Sequence, residues 1–397
     1  MSELASRRIL LGVTGGVAAY KAAELARLLV KAGADVQVVM TEAATRFVTP
    51  VTLQALVGRA VLTDMWDASV PNNMAHIEAS RDREIVVVAP ATAGFLAKLA
   101  HGFADDLLSA LCLARECPLL VAPAMNRQMW EHPATQRNVA TLRADGVAVV
   151  GPAAGDQACG ETGLGRMSEP ADIYAELVAL LAPKTLAGKR VLVTAGPTFE
   201  PIDTVRGITN LSSGKMGYAV AQAAAEAGAE VTLVSGPTAL PTPPRVARVD
   251  VTTAREMRDA VLARAPGTDI FIAVAAVADY HVVGAKDHKI KKRAGEAPTL
   301  TLAENPDILG EVASLPRPPF CVGFAAETEN LREYAQAKRK KKGIPLLAAN
   351  LAQEAFGADD NALTLFDDHG EHVLPRAPKI RLARELVGHI ARMLAPR

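Results

Sequence analysis

The chain has 397 residues, half of them hydrophobic and few of them aromatic, a size at which one core usually gives way to two domains. Acidic and basic residues are equal in number, and this neutral balance argues against a general surface for nucleic acids or anionic membranes. We expect a cytoplasmic protein, because MSELASRR lacks the apolar core of a signal peptide and no apolar stretch reaches membrane-spanning length.

Five short apolar runs in the first part of the chain predict a parallel β-sheet covered on both faces. The runs are continuous rather than alternating, which is typical of strands buried on both sides. Segments of helical character separate most of them, and Leu25, Leu28 and Leu29 form a helical stripe between the first two. The predicted strands are Ile9–Val13, Val36–Met40, Ile85–Ala89, Leu119–Ala122 and Val147–Val150.

Small or polar residues follow four of these strands, at the sheet edge where α/β proteins bind ligands. Gly15 and Gly16 follow the first strand, Thr41 the second, Thr92 the third and Asn126 the fourth. Simple turn chemistry explains any one of these loops. Four of them on one edge favour a nucleotide or a flavin, whose phosphate the amides at a helix start can hold. A dinucleotide is disfavoured, because G-x-G-x-x-G is absent after the first strand.

Two further residues are candidates for proton transfer. His76 precedes the third strand, so we expect it away from the carboxyl edge of its own sheet; a lone histidine is more often a surface or capping residue. A catalytic His76 would have to reach a site across a subunit boundary. Cys159 lies in GDQACGETGLGRM, where we expect neither a strand nor a core helix, and a thiol on a mobile flap suits an acid or a nucleophile.

A second α/β domain is predicted after a short segment that contains Pro and Gly. Residues 183–187 are the predicted linker between domains of residues 1–182 and 188–397. The fold class is therefore α/β, with two consecutive doubly wound, mainly parallel-sheet Rossmann-like domains, and the chain after Gly370 completes a hairpin. The predicted strands of the second domain are Val191–Thr194, Val231–Val234, Ile270–Val274, Phe320–Phe324 and Leu346–Ala349, and those of the hairpin are Leu363–Phe366 and His372–Leu374.

Polar and basic residues again follow the strands of this second domain. Asp279 could hold Mg²⁺ through oxygen, although an ordinary cap explains it equally. Lys289 belongs to a basic loop, and Lys338 and Lys342 share one face of a predicted helix. A run of charge is usually a solvated face, but opposite a triphosphate these lysines would be ligands.

The segments TGGVAAYK, AHIEASRD, PAMNRQMW and QACGETGLGRM resemble, in this order, the flavin-dependent cysteine decarboxylases over nearly all of residues 7–182. The resemblance implies FMN bound between the subunits of a trimer, with His76 as the catalytic histidine. It implies that Asn126 binds the substrate carboxylate region and that Cys159 protonates an enethiol intermediate. Asp105 stands where close relatives often carry Asn, which leaves its role open. The residues expected around FMN are Gly15, Gly16, Thr41, Thr92 and Asn126.

The segments TAGPTFEPIDTVRGITNLSSGKMG, AAVADY, KIKK, NPDIL and GFAAET resemble phosphopantothenate–cysteine ligases over about residues 188–395. The resemblance implies CTP and Mg²⁺, an acyl-cytidylate near Asn210 and a dimer of this half, and Asp279 stays the candidate metal ligand. With both halves in one chain, it implies a bifunctional enzyme of coenzyme A synthesis that uses 4′-phosphopantothenate and L-cysteine. Trimers joined by dimers imply a larger assembly, such as a dodecamer. The residues expected around CTP are Asp279, Lys289, Asn305, Pro306, Asp307, Ile308, Phe324, Lys338 and Lys342.

Two alternatives stay open at this point. In one, only one half of the chain is active. In the other, the first half is a flavin-binding regulatory subunit without decarboxylase activity. The presence of His76, Asn126 and Cys159 argues against the second alternative.

Overall fold

Two β-sheets organise the chain, one in each of the units Met1–Ala182 and Pro183–Arg397. This computed structural model describes residues 4–67, 74–291, 299–327, 330–351 and 358–395. Within those ranges, no helix combines the length and the apolar character needed to cross a membrane. The predicted linker, residues 183–187, lies in the second unit, where Leu186 N donates to Ala227 O at 2.9 Å.

The first sheet is parallel, with the strand order β2-β1-β3-β4-β5. Its strands are β1 Arg8–Val13, β2 Asp35–Met40, β3 Ile85–Ala91, β4 Leu119–Pro123 and β5 Ala148–Val149, followed by a two-stranded ribbon of β6 Ala153–Asp156 and β7 Thr162–Arg166. The helices are α1 Tyr20–Lys31, α2 Glu42–Thr45, α3 Pro50–Val57, α4 Ala75–Ser80, α5 Ala93–His101, α6 Leu107–Ala114, α7 Arg127–Glu131, α8 Pro133–Ala144 and α9 Pro170–Leu181.

Alternating side chains of each buried strand enter different cores. Ile9 and Leu11 of β1 join a core with α1, α3 and α9, whereas Leu10 joins a core with α5, α6 and α8 on the other face. Because successive side chains of a strand point to opposite faces, a continuous apolar run is what a sheet covered on both faces requires. The predicted parallel sheet is confirmed.

The second unit contains a larger sheet, with the order β12-β11-β8-β13-β16-β17-β18-β19. Neighbouring strands from β12 to β17 are parallel, and β18 and β19 are antiparallel. Its sheet strands are β8 Arg190–Ala195, β11 Glu230–Ser235, β12 Val246–Asp250, β13 Ile270–Ala273, β16 Phe320–Glu327, β17 Leu346–Leu351, β18 Asp360–Asp367 and β19 Gly370–Pro378. Two short antiparallel pairs lie outside it: β9 Phe199–Pro201 with β10 Gly207–Thr209, and β14 Tyr280–Val282 with β15 Leu302–Glu304.

Helices cover both faces of this sheet as well. One core packs against α10 and α14, and Val191 and Val193 of β8 enter it; the other packs against α11, α12 and α13, and Leu192 enters it. The helices are α10 Lys215–Glu226, α11 Ala254–Leu262, α12 Ile308–Ala313, α13 Leu331–Lys342 and α14 Lys379–Leu394. The predicted fold class, two mainly parallel α/β domains, is confirmed, and so is the hairpin of β18 and β19.

Candidate active sites

A cavity of about 530 Å³ opens at the carboxyl edge of the first sheet. The loops after β1, β3 and β4 line it on one side, and the β6–β7 ribbon lines it on the other. The predicted residues that line the cavity are Gly15, Gly16, Thr92, Asn126 and Cys159. The sheet therefore brings together residues that are up to 144 positions apart in the sequence, from Gly15 to Cys159.

The loop after β1 allows a close approach of backbone to backbone. A Cβ atom at Gly15 would lie 2.4 Å from the Cβ of Ala43, so no larger residue fits there without displacing the start of α2. The hydroxyl of the buried Thr14 donates to Pro90 O at 2.8 Å and accepts from Thr92 N at 3.1 Å. These two bonds hold the loops after β1 and β3 at a fixed separation.

Asn126 begins the short helix after β4. Its Oδ1 accepts a hydrogen bond from Met129 N at 3.0 Å, and its Nδ2 donates to Gln128 Oε1 at 2.7 Å. A side chain that caps a helix in this way has a fixed orientation. Asn126 therefore presents a positioned amide to the cavity rather than a mobile one.

The segment around Cys159 corrects one expectation of the sequence. Instead of being free of strands, it forms the antiparallel ribbon of β6 and β7, with the exposed Cys159 in the connecting turn. Gln157 Oε1 accepts from Arg127 N at 3.0 Å and lies 3.8 Å from the Cys159 sulfur. Met125 N donates to Gly165 O at 3.0 Å. The ribbon is thus hydrogen-bonded to the loop that carries Asn126, which sets the thiol beside the cavity.

The other cysteines of this unit differ from Cys159. Cys112 is fully buried, and burial raises the pKa of its thiol to about 12. Cys117 is half-buried, and burial also raises the pKa of its thiol. Both belong to or pack against the core of α5, α6 and α8, as the apolar runs beside them predicted.

Lys21 is a cavity residue that the sequence reasoning missed. It is 7% exposed, and its Nζ donates to Glu169 Oε1 at 2.8 Å and to Met167 O at 3.3 Å. Arg166 also lines the cavity. The available signal was a lysine inside the buried stripe of α1, where charge is rarely found without a partner. The cavity therefore carries cations as well as small residues.

The structure places two predicted residues elsewhere. Thr41 caps α2, where its hydroxyl oxygen accepts from Ala44 N at 3.3 Å, and it does not line the cavity. His76 is half-buried on α4, a helix that packs against α6, and it does not line the cavity of its own chain either. Asp105, the residue of open role, forms an ion pair with Lys98 at 2.8 Å.

In the second unit, a short hairpin precedes Asn210. The strands β9 and β10 pair antiparallel, and Asn210 comes directly after them. Its Nδ2 donates to Ala276 O and Val277 O, both at 3.1 Å. These carbonyls follow β13, so Asn210 is fixed at the carboxyl edge of the sheet.

Asp203, in the turn of this hairpin, is a second residue that the sequence reasoning missed. It is 2% exposed and accepts from Val205 N at 2.8 Å, from Arg206 Nε at 3.1 Å and from Ile290 N at 3.0 Å. The Arg206 guanidinium, together with these amides, holds the pKa of the Asp203 carboxyl well below its usual range. Lys289, the residue before Ile290, is exposed. Asp203 therefore anchors the loop that carries Lys289.

The rest of the basic loop is described only in part. Lys291 is exposed, and Lys292 and Arg293 lie outside the described residues. Asp279 is exposed, and its carbonyl accepts from Asn305 N at 2.8 Å. This bond joins the residue before β14 to the residue after β15. Asn305 Nδ2 also donates to Ala278 O at 2.9 Å.

The predicted turn of Asn305, Pro306, Asp307 and Ile308 leads into α12, which Asp307 caps by accepting from Gly310 N at 3.1 Å. Lys342 forms an ion pair with the Asp307 carboxylate. Burial raises the pKa of Asp307, but the bonds from Lys342 and Gly310 and the charge of Lys338 outweigh it, so the net pKa is lowered. The structure therefore brings Lys338 and Lys342 of α13 to the start of α12. Phe324 lies within β16 and packs against the core of α10 and α14.

Comparison with known proteins assigns each of the two units to a different family. Residues 1–182 match the flavoprotein family, and residues 186–394 match the family described as the C-terminal domain of the DNA/pantothenate metabolism flavoprotein. The coenzyme A biosynthesis bifunctional protein CoaBC of Vibrio cholerae is 51% identical over 388 residues, which are 96% of this chain and 97% of that protein. Its Escherichia coli K12 counterpart is 48% identical over 395 residues, 98% of this chain and 97% of that protein.

The chain belongs to the CoaBC family. The family predicted from the two sets of motifs, a bifunctional decarboxylase and ligase of coenzyme A biosynthesis, is thereby confirmed. A crystal structure of the C-terminal domain of a CoaBC protein is 40% identical to this chain in sequence. The match covers 53% of this chain and 98% of the crystallised chain, with a TM-score of 0.46. Membership of the CoaBC family establishes small-molecule substrates and a flavoprotein domain.

Proposed function

We propose that the first unit decarboxylates phosphopantothenoylcysteine with bound FMN, and that the second unit makes this compound from 4′-phosphopantothenate, L-cysteine and CTP with Mg²⁺. The observation that carries the proposal is the cavity that gathers Gly15, Gly16, Thr92, Asn126 and Cys159 at one sheet edge. The flavoprotein match covers the whole of that unit.

The residues around the cavity fit a flavin mononucleotide. The volume of about 530 Å³ lies within the range of small-molecule sites. Gly15 and Gly16 line the cavity, and backbone amides there can hold a phosphate. Lys21 supplies positive charge. When bound, FMN would oxidise the substrate thiol to a thioaldehyde, which accepts the electrons left by the departing carboxylate, and would later return hydride to the product.

The protein side chains then have distinct tasks. Asn126, held by Met129 N and Gln128, orients the substrate carboxylate. Cys159 protonates the decarboxylated enethiol from the turn of the ribbon. His76 does not line the cavity of its own chain, so we place it in the site of a neighbouring subunit. This arrangement requires an oligomer, for which we propose trimers of the first unit joined by dimers of the second.

In the second unit, lysines neutralise the triphosphate of CTP. Lys289 is exposed on a loop that Asp203 anchors, and Lys338 and Lys342 lie together near Asp307. A triphosphate would compete with Asp307 for Lys342. The exposed Asp279 carboxylate would offer oxygen to Mg²⁺. The substrate carboxylate attacks the α-phosphate and pyrophosphate leaves. The cysteine amine then attacks the acyl carbon of the acyl-cytidylate beside Asn210, which forms the amide and releases CMP.

The experiment supplies phosphopantothenate, cysteine and CTP with Mg²⁺ to the full chain, and follows CMP, pyrophosphate and carbon dioxide separately. Purified protein should release FMN on denaturation and form all three products. Formation of CMP without carbon dioxide, by a protein that contains flavin, would support a regulatory first half instead. The absence of CMP would overturn the ligase assignment, and light scattering tests the oligomer independently.

A further inference from the structure

Three metal-ligating side chains converge in the second unit at a place that neither proposed reaction uses. Asp367 ends β18, His372 lies in β19 and His389 lies in α14, and one ligand atom from each lies within 4.8 Å of the other two. We call these residues the Asp–His cluster. Asp367 and His389 are 6% and 8% exposed, and the His372 side chain is 39% exposed. Two of the three side chains are therefore buried, and the third, His372, is partly exposed to solvent.

The two imidazoles present the same atom to the same oxygen. His389 Nε2 lies 2.8 Å and His372 Nε2 lies 3.1 Å from Asp367 Oδ2, and the ring centroids are 4.6 Å apart. Asp367 Oδ1 accepts from His369 N at 2.7 Å. This bond fixes the carboxylate plane and leaves Oδ2 for the histidines. An outer bond that orients a ligand in this way is typical of metal sites.

The neighbouring acids are engaged elsewhere. Asp368 pairs with Arg339 at 2.8 Å, and Glu371 pairs with Arg332 at 2.8 Å. The positive charge of Arg392, on the same helix as His389, repels a proton on His389 and would also repel a bound cation. A site here would thus have three protein ligands and a position open to water on the His372 side.

We propose that Asp367, His372 and His389 bind one divalent zinc-type cation that links β18, β19 and α14. Two imidazole nitrogens with one carboxylate form a donor set for Zn²⁺ rather than for Mg²⁺ or Ca²⁺, which prefer oxygen alone. Ligand atoms about 2.0–2.2 Å from a shared ion lie slightly farther apart than two hydrogen-bonded atoms, so a small opening of the cluster admits the ion.

The ion has a structural role, because it joins the antiparallel edge of the sheet to the last helix. Phe366, next to Asp367, pairs with Leu347 near the start of β17, so the cluster lies at the amino edge of the parallel strands. Asn210 is bonded to a carbonyl that follows the end of β13, at the opposite, carboxyl edge. The proposal is independent of the proposed function, since none of the three ligands is assigned to a substrate of either reaction.

The test titrates chelator-treated full-length protein with Zn²⁺ by calorimetry and with Co²⁺ by visible absorption. His372→Ala removes the most exposed ligand, and Asp367→Asn removes the charge. His369→Ala is the matched control, because His369 is exposed in the same turn and contacts Asp367 through its backbone only in the described bonds. Circular dichroism verifies that each variant is folded.

We expect one Zn²⁺ per chain, tetrahedral Co²⁺ bands, and a melting temperature raised by about 5 °C when the ion is in large excess over its dissociation constant. Both effects should vanish in His372→Ala and persist in His369→Ala. A folded Asp367→Asn variant should likewise lose them. Absence of binding at micromolar Zn²⁺, or equal binding by His372→Ala, would overturn the proposal.

Discussion

The backbone amide of Ile290 donates a hydrogen bond of 3.0 Å to the buried carboxylate of Asp203. The same carboxylate binds the Arg206 guanidinium, whose Nη2 donates to Ile290 O at 2.9 Å. The side chains of the Asp203–Arg206 ion pair thereby bind both backbone polar groups of Ile290, which is 87 positions from Asp203. Lys289, one residue earlier, is therefore held beside the turn between β9 and β10.

Asp203→Asn should weaken ligation through the position of Lys289. The amide keeps the shape of the side chain but removes the charge that Arg206 and Ile290 N bind, and hydrogen bonds to charged groups are the stronger ones. We expect kcat/KM for CTP to fall about tenfold or more, while decarboxylation of supplied phosphopantothenoylcysteine stays unchanged. Asp287→Asn, at an exposed position of the same loop, is the control and should ligate normally. A normal CTP dependence in Asp203→Asn would show that the anchor is dispensable.

Acid should release the same loop. Because the folded-state pKa of Asp203 lies below its ordinary value of 3.8, its stabilisation is present above that value and is lost as pH falls toward the folded pKa. Hydrogen exchange of a peptide containing Ile290, corrected for intrinsic rates, should show protection falling below about pH 4 in the wild type. Asp203→Asn should show low protection without this pH dependence. A pH-independent wild type would contradict the ion-pair explanation.

Lys289→Gln should slow ligation and spare decarboxylation. A lysine is a mobile point charge suited to phosphate oxygens, and stabilising developing charge often contributes about a hundredfold to a rate. Both reactions should be assayed on one preparation, with Lys286→Gln as an exposed control from the same segment. Unchanged ligation in Lys289→Gln would assign the loop to solvent, and equal loss of both activities in a folded variant would show that the two halves are coupled.

Cys159→Ser should permit loss of carbon dioxide but impair the final protonation, so that an oxidised, decarboxylated product accumulates. Serine preserves the ribbon turn, while its hydroxyl is a far weaker acid than a thiol. Mass spectrometry of single-turnover mixtures distinguishes this product from phosphopantetheine. The half-buried Cys117, changed to serine, is the control and should turn over normally. Normal turnover in Cys159→Ser would remove the thiol from the mechanism.

Mixed oligomers test whether His76 acts across a subunit boundary. His76→Ala and Asn126→Ala should each abolish decarboxylation, because general acid–base groups and substrate-orienting groups typically contribute at least about a hundredfold. Co-expressed with separate affinity tags and purified as mixed oligomers, the two variants should recover a fraction of wild-type activity. Complete inactivity in verified mixtures would place His76 and Asn126 in one subunit's site.

Much of this architecture follows from the sequence alone. Runs such as Ile85–Ala89 are long enough for a strand and apolar at every position, so they had to lie in a sheet covered on both faces. The identity of the residues after each strand then placed Gly15, Thr92 and Asn126 at one edge, because parallel strands share their direction. The hairpin of β18 and β19 was equally predictable, since Asp368, His369 and Gly370 interrupt two apolar runs.

Long-range hydrogen bonding was decided by the tertiary structure. Local composition described the Cys159 segment as strand-free, but Gln157 and Gly165 bond to the loop of Asn126 and stabilise a ribbon. Asp203 was not singled out from the sequence, because its burial and its partner Ile290 N arise only in the fold. Asp367, His372 and His389 are unremarkable in sequence, and only the packing of α14 against the last hairpin joins them. The local hydrophobic pattern determines which face of a strand or helix a residue occupies. Its hydrogen-bond partner from a distant part of the chain depends on how the strands and helices pack together, and local periodicity does not contain that information.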